Sequence, residues 1–355
     1  MKTYNNLWQT LCSKAHLYNA FLRARKRKTK KIYVQEFESN LEENLFLLRA
    51  ELVLHVYHPQ PLTTFVIRDP KTRVISKSAF RDRIVHHALV SLLEPLFDKN
   101  FIFDSYANRK GKGTLKALQR FNQFKEKFRR GGRALKADIR HYFDEVDHKV
   151  LLSILQKKIK DPQVIHLIKI ILNHYHKSPG KGMPLGNLTS QFFANVYLNE
   201  LDQFVKHQMK IEYYLRYVDD FIIFHKDKDV LKGYQSAIDV FLKEQLKVSL
   251  HPQKCRIIPV RGGVTFLGFR IFPFFQLLKK VNVRRMQYRL YDYKLLYDKQ
   301  LIPYDKVYNS LQGWSGYACQ GNTLKLRRKM VSLMEKLFPS EVSSHEINRW
   351  LKVLE

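Results

Sequence analysis

Residues 212–227 read EYYLRYVDDFIIFHKD, and the two aspartates inside this apolar string decide how the rest of the chain is understood. Aromatic and β-branched residues on both sides predict two short strands, with Asp219 and Asp220 at the tip of the hairpin between them. An isolated Asp-Asp pair is commonly a surface turn. Flanked by Val218 and Phe221, these two carboxylates repel one another and lose solvation unless cations hold them. A third carboxylate, Asp138, ends a second expected strand, ALKADI (134–139), ahead of an aromatic-rich loop. Carboxylates at strand ends and hairpin tips can converge on two Mg2+ ions about 3.5–4 Å apart. Hard oxygen ligands favour Mg2+ over zinc, with Mn2+ as a substitute. Asp144, Glu145 and Asp147 follow in a polar loop and suit helix N-terminal charges better than a metal site.

Composition bears on the partner. The chain has 355 residues, 45% of them hydrophobic and 13% aromatic, enough for a sizeable core shared by two or three subdomains. Lys and Arg number 63 against 32 Asp and Glu, a formal charge of +31. Such a surplus resists compaction, and a polyanion is the partner it best serves: nucleic acid ahead of an anionic membrane. Cys12, Cys255 and Cys319 are far apart and form no CxxC pair. They supply neither a zinc ribbon nor a disulfide framework, and they suit a reducing compartment. No apolar run approaches the ~18 residues of a membrane span, and the N-terminus has no signal-peptide core. A soluble, cytoplasmic protein of bacterial or phage origin is expected.

Along the chain, residues 1–35 have no acid and carry RARKRKTKK (23–31), which reads as a basic helical extension that grips phosphates. VQEFESNLEENLFLLRAEL (34–52) has the pattern of one amphipathic helix. TTFVIRDP and KTRVISKSA (63–79) alternate as two strands joined by an Asp-Pro-Lys-Thr turn. RDRIVHHALVSLLEPLF (81–97) predicts a buried helix on which His86 and His87 are structural. A basic loop and a helix follow at 105–121, helices at about 148–160 and 162–175, and another at about 229–246. Short strands are expected within 251–273, and a basic helical region from about 279 onward.

ADIRHYF, GNLTSQ, RYVDDF, PQKC and TFLGF occur here in the order of reverse-transcriptase motifs, and the chain resembles that family from about residue 40 onward. The resemblance implies an α+β right-hand polymerase: fingers, an antiparallel palm sheet backed by helices, and a helical thumb. On that plan 1–40 is an extension, 41–89 and 146–186 fingers, 90–145 and 187–278 palm, and 279–355 thumb. Asp138, Asp219 and Asp220 would be the catalytic acids, and with Ile139 the metal set. One ion would lower the pKa of an attacking 3′-hydroxyl and the other would hold the triphosphate and leaving pyrophosphate. Phe143, five residues after Asp138, matches the aromatic that excludes a ribose 2′-hydroxyl. Arg68 and Arg73 match residues that clamp an incoming deoxynucleoside triphosphate, where guanidinium forks suit phosphate. Lys254 matches a lysine beside the leaving group, and VTFLGFRIFP (264–273) resembles the primer grip.

MPLGNLTSQ (183–191) separates subgroups of the family. Group II intron and many retroviral-type enzymes have Gln before this Gly, and Ser-Pro where this chain has Ser190-Gln191. Leu185, Gly186 and Gln191 instead resemble the reverse transcriptases of diversity-generating retroelements. Those enzymes copy a template-repeat RNA with frequent errors at adenine, and a small, basic, oligomeric accessory protein assists them. Template RNA, primer or cDNA strand and deoxynucleoside triphosphates are the implied partners, and no membrane. Leu185 in place of Gln removes two hydrogen-bond donors and an acceptor from the nucleotide pocket wall. The competing readings are a retron enzyme, a group II-type enzyme, for whose DNA-binding and endonuclease regions the sequence has no evident room, and a non-catalytic RNA binder on the same scaffold.

Overall fold

A computed structural model of the chain describes residues 2–68 and 72–351. The tip of the expected Asp-Pro-Lys-Thr turn lies outside the described residues. The fold is α+β and divides into two compact units. The first comprises Met1–Gly113, Leu135–Ile223 and Asp229–Arg256; the second comprises Thr114–Ala134, Phe224–Lys228 and Ile257–Glu355. Among the described residues no helix is long and apolar enough to cross a membrane.

The first unit opens with helices Leu7–Leu11, Lys14–Arg25, Ile32–Ser39 and Leu41–Val53. The single helix expected over 34–52 is thus two, broken at Asn40 (φ −121°, ψ 46°). Asn competes poorly for helical geometry, and the break serves both sides of it. Phe37 can lie 6.0 Å from the Phe21 ring and 5.4 Å from that of Phe80, while Leu45, Leu48 and Leu52 turn inward at helical spacing. Strands β1 (Thr63–Ile67) and β2 (Arg73–Lys77) pair antiparallel, Thr63 opposite Lys77. The helix Phe80–Asp98 follows, with His86 buried on it. Burial pushes the His86 pKa down to about 3, so the ring is a neutral core group.

Strands β3 (Arg133–Asp138), β4 (Tyr214–Tyr217), β5 (Asp220–His225) and β6 (Arg256–Pro259) form a sheet in the order β4-β5-β3-β6. The strand ends bearing Asp138, Asp219 and Asp220 belong to the first unit. That unit also holds the helices His148–Gln156, Pro162–Asn173 and Leu188–Gln203. Asp147 caps the first of these by accepting from Val150 N at 3.0 Å, the N-terminal role expected of it.

In the second unit, Phe121 and Phe128 of helix Thr114–Phe128 pack on Phe224, with centroids 5.1 and 5.7 Å apart. Strands β7 (Val264–Phe266), β8 (Phe269–Ile271) and β9 (Gln276–Leu278) form an antiparallel sheet. The two-residue turn Leu267–Gly268 has φ values of 39° and 83°. A side chain at Gly268 would meet the Tyr317 hydroxyl, so the position needs glycine for space as well as for conformation. Helices Lys280–Asp298, Tyr304–Ala318, Leu324–Leu337 and Ser344–Leu351 close on a core that includes Leu290, Leu311, Met330, Met334 and Trp350.

One polar cluster sits where only apolar side chains would be expected. Arg216 on β4 and Asp202 on helix Leu188–Gln203 are both fully buried, at 0% exposure. Arg216 Nε donates to Asp202 Oδ1 at 2.7 Å and Nη2 to Oδ2 at 2.6 Å. Its other donors reach Asn195 Oδ1 (3.3 Å), the Val218 carbonyl (3.0 Å) and Ser105 Oγ (3.1 Å). All five N–H groups of the guanidinium are therefore used. Tyr214 donates to Asp202 Oδ1 at 2.8 Å. Burial works against the Arg216 charge, and Asp202 reverses that effect, leaving its pKa above the ordinary value. Removing one partner leaves the other charged and alone in the interior. We therefore expect Arg216→Met to cost about 3–5 kcal/mol in urea denaturation, and Arg216→Met/Asp202→Leu to recover more than half of that. A double variant no more stable than the single one would contradict this account.

Candidate active site

The β4–β5 hairpin turns in two residues, since Tyr217 pairs with Asp220 and leaves Val218 and Asp219 between them. Val218 has φ +56°, a left-handed conformation that costs a β-branched residue roughly 1–3 kcal/mol. The bond from Arg216 to the Val218 carbonyl helps hold that conformation, so the buried ion pair acts directly on the turn that presents Asp219. Ile139 N donates to the Asp219 carbonyl at 3.3 Å, and on the other side His251 N donates to the Asp138 carbonyl at 2.8 Å. Asp138 is thereby set between the hairpin turn and the segment carrying PQKC. Lys254 of that segment places Nζ 2.8 Å from Asp138 Oδ1.

Burial pushes the Asp219 pKa up to about 6, and the charges of Asp220 and Asp138 add to the rise. Asp220 is also raised, first by burial; Lys136 opposes the shift and Asp138 adds to it. Neighbouring carboxylates that hold protons this tightly are short of positive charge. Among the described residues, no three His, Cys, Asp or Glu side chains are already arranged to hold a metal ion. The three aspartates are neighbours without forming a finished coordination shell, and the Lys254 ammonium supplies a cation to one of them. The donor chemistry fits Mg2+: hard carboxylate oxygens from Asp138, Asp219 and Asp220. Ile139 is buried, and only its backbone could join that set.

Backbone bonds join this site to two further motifs. Met183 N donates to the Phe143 carbonyl at 2.7 Å, and Ser76 N to the Leu185 carbonyl at 3.2 Å. Ser78 N donates to Asn187 Oδ1 at 3.2 Å. Gly186 has φ +119°, and a Cβ there would lie 2.8 Å from Ile75 Cγ2. The turn Pro184–Asn187 is thus seated on β2 through its backbone, with the Leu185 side chain half-buried. Phe143 is half-buried as well, its ring 5.4 Å from that of Tyr142. Arg68 and Arg73 are exposed beside the ends of β1 and β2. Gln191 lies elsewhere, lining a cleft with Arg23, Lys26, His87, Asn108 and Lys110. Sequence reasoning did not single out Arg216, Asp202 or Asn187, and took Val218 only as an apolar flank. The available signal was an Arg set in the alternating apolar run YLRYV.

The raised Asp219 pKa has a sign that can be checked. Below about pH 6 the folded protein holds a proton at Asp219, which a cation must displace, so Mn2+ binding followed by its paramagnetic resonance should strengthen from pH 5.5 to 7.5. Asp219→Asn should remove most of that dependence. In cation-free buffer, Asp219 favours the folded state below its unfolded value near 4 and loses that contribution as pH rises through about 6. Asp219→Asn should accordingly gain about 1–2 kcal/mol over the parent at pH 7.5, relative to pH 4. Mn2+ affinity independent of pH in the parent would refute the assignment.

Comparison with known proteins identifies the family. Residues 67–271 match the family model described as reverse transcriptase (RNA-dependent DNA polymerase). Protein YkfC of Escherichia coli (strain K12) is 25% identical over 283 residues, covering 66% of this chain and 72% of that protein. The group II intron-encoded protein LtrA of Lactococcus lactis subsp. cremoris is 25% identical over 302 residues, covering 65% of this chain and 50% of LtrA. This chain thus spans about half the length of that intron-encoded relative. Among solved structures, telomerase from Candida albicans in complex with a fragment of telomeric RNA aligns at TM-score 0.49 and 11% identity, over 84% of this chain and 67% of that one. The match to the family model takes in β2, β3, the hairpin that carries Asp219 and Asp220, and Lys254, and the chain belongs to the reverse transcriptase (RNA-dependent DNA polymerase) family.

Proposed function

We propose that the chain copies RNA into DNA by nucleotidyl transfer at Asp138, Asp219 and Asp220, and that it serves a diversity-generating retroelement whose cDNA is mutated at adenine. The observation that carries the catalytic part is the meeting of three carboxylates with raised proton affinity at two of them. Divalent cations held there would supply Lewis acidity to the primer hydroxyl and the triphosphate. The chain's own residues do the rest. Arg68 and Arg73 clamp the triphosphate with bidentate contacts, and the Phe143 ring closes the space a 2′-hydroxyl would need. Lys254, which pairs with Asp138, protonates or neutralises the departing pyrophosphate on this reading. Template-repeat RNA, the primer strand and a small basic accessory protein are the partners this role requires.

The retroelement reading rests on the turn at 184–187. Its backbone is fixed by Ser76, Ile75 and Ser78, so the side chain at 185 can change without moving the turn. Leu there packs against the nucleotide and offers no hydrogen bond. Contact of that kind discriminates by about 1–3 kcal/mol, less than a site that also hydrogen-bonds its substrate. The 25% identity to LtrA favours a second reading, a group II-type enzyme of ordinary fidelity, and error spectra separate the two.

Primer extension on an RNA template with Mg2+ tests the first part. Asp219→Asn should slow extension by on the order of a hundredfold or more, since metal-borne charge stabilisation is worth several kcal/mol. Equal rates would end the polymerase proposal. For the second part, Leu185→Gln should lower misincorporation opposite template adenine about five- to tenfold, read by sequencing the cDNA. An unchanged spectrum, or a parent already accurate at adenine, returns the chain to the group II reading.

A further inference from the structure

At the end of the stretch that resembles the primer grip, the second unit carries a turn whose tip, Phe274, has no part in the chemistry above. β8 and β9 are joined by the turn Phe272-Pro273-Phe274-Phe275, closed by Phe272 N donating to the Phe275 carbonyl at 2.8 Å. Phe272 and Phe275 stack on each other, centroids 4.6 Å apart. Phe274 is left at the tip, 77% exposed. Exposed arginines lie over these rings and on the neighbouring loops. Arg129 lies 5.6 Å over the Phe274 ring and Arg270 lies 5.0 Å over that of Phe272. Arg270 also donates to the Gly262 carbonyl at 2.9 Å. Val260 N donates to the Gly132 carbonyl at 3.0 Å, which brings the loop with Arg261 beside the one with Arg129 and Arg130. The acid in the neighbourhood is Glu126, 3.3 Å from Arg129. Residues 114–134 hold seven Lys or Arg and 256–280 hold five, against Glu126 alone.

We propose that this turn is a second nucleic-acid contact, at which an unpaired base of single-stranded RNA stacks on Phe274 while Arg130, Arg261 and Arg270 hold the flanking phosphates. Base–aromatic stacking tolerates any sequence because every base has a π-face, and a cationic surround tracks the backbone. A duplex hides the faces that Phe274 would need, so the ligand is a single strand. A lipid surface would be better served by several splayed apolar tips; here Phe274 is the most exposed ring, while Phe275, itself partly exposed, is stacked on Phe272. The inference rests on the polymerase reading only in its choice of RNA as the polyanion.

The test uses the full chain saturated with an unlabelled primer–template duplex. It is titrated with a fluorescent oligouridylate of about twelve nucleotides and, separately, with phosphatidylserine vesicles. Phe274→Ala and Phe274→Leu should each weaken oligouridylate binding about tenfold, and Phe274→Trp should keep it. Arg130→Glu/Arg261→Glu should reduce the salt dependence of binding. Unchanged affinity in both Phe274→Ala and Phe274→Leu overturns the proposal. So does vesicle binding that Phe274→Leu keeps and Phe274→Ala loses, which assigns the turn to a membrane. A chain that binds the oligonucleotide through Phe274 yet extends no primer supports this contact and defeats the polymerase reading.

Discussion

The guanidinium of Arg216 is the fixed point of the first unit. A buried ion pair is seldom kept for stability, because desolvation consumes most of its attraction. Its value here lies in the number of partners it must satisfy at once. Asp202 and Asn195 come from one helix, Val218 from the hairpin turn and Ser105 from the segment before the basic loop. Any shift of β4 along its neighbours would leave at least one buried donor unmet, at about 1–3 kcal/mol each. Only one register avoids that loss, and in it the turn holds Val218 left-handed and presents Asp219. The strain at Val218 and the satisfied network behind it are two halves of one arrangement.

Charge imposes a second constraint of opposite sign. A chain of net charge +31 suits a polyanionic partner, yet the chemistry proposed for it depends on gathering three carboxylates into one place. Lys254 on Asp138 and Lys136 acting on Asp220 relieve part of their mutual repulsion. The residual strain appears as the raised pKa of Asp219. Phosphate and cation arriving together suit such a site better than either alone, since each neutralises what the other leaves.

The sequence made local features visible and left long-range ones hidden. Period-two alternation with a central Asp pair located the hairpin at 214–225, and helical spacing located Phe80–Asp98 and Pro162–Asn173. Asn40 was overlooked because the apolar pattern runs across it unbroken; what interrupts the helix is the packing of Phe37 on Phe21 and Phe80, which is tertiary. Arg216 could not be paired from the sequence, because its partner Asp202 lies fourteen residues away on another element. Helix Thr114–Phe128 groups with the strands and helices beyond residue 256, an association that no local pattern signals. Gln191 and Leu185 stand close in one motif, yet helical rotation turns Gln191 toward Arg23 and Lys26 while Leu185 stays with β2. A motif fixes spacing along the chain, and the direction each side chain faces is decided by the element that carries it.

That separation also bears on how a copying site could lose accuracy without losing activity. The acids, the strained turn and the Arg216 network are tied together, so substitution among them disturbs several buried partners. The turn at 184–187 is different. Gly186 cannot accept a side chain without displacing Ile75, and Asn187 is occupied with Ser78, but Leu185 contributes a carbonyl to the scaffold and its side chain remains half-buried beside it. On the proposed reading, selectivity can therefore vary at that side chain while the backbone of the turn keeps its place. Among Leu185, Gly186 and Asn187, Leu185 is the one whose side chain takes no part in seating the turn on residues 75–78, and on the proposed reading that is where a change in fidelity would cost the fold least.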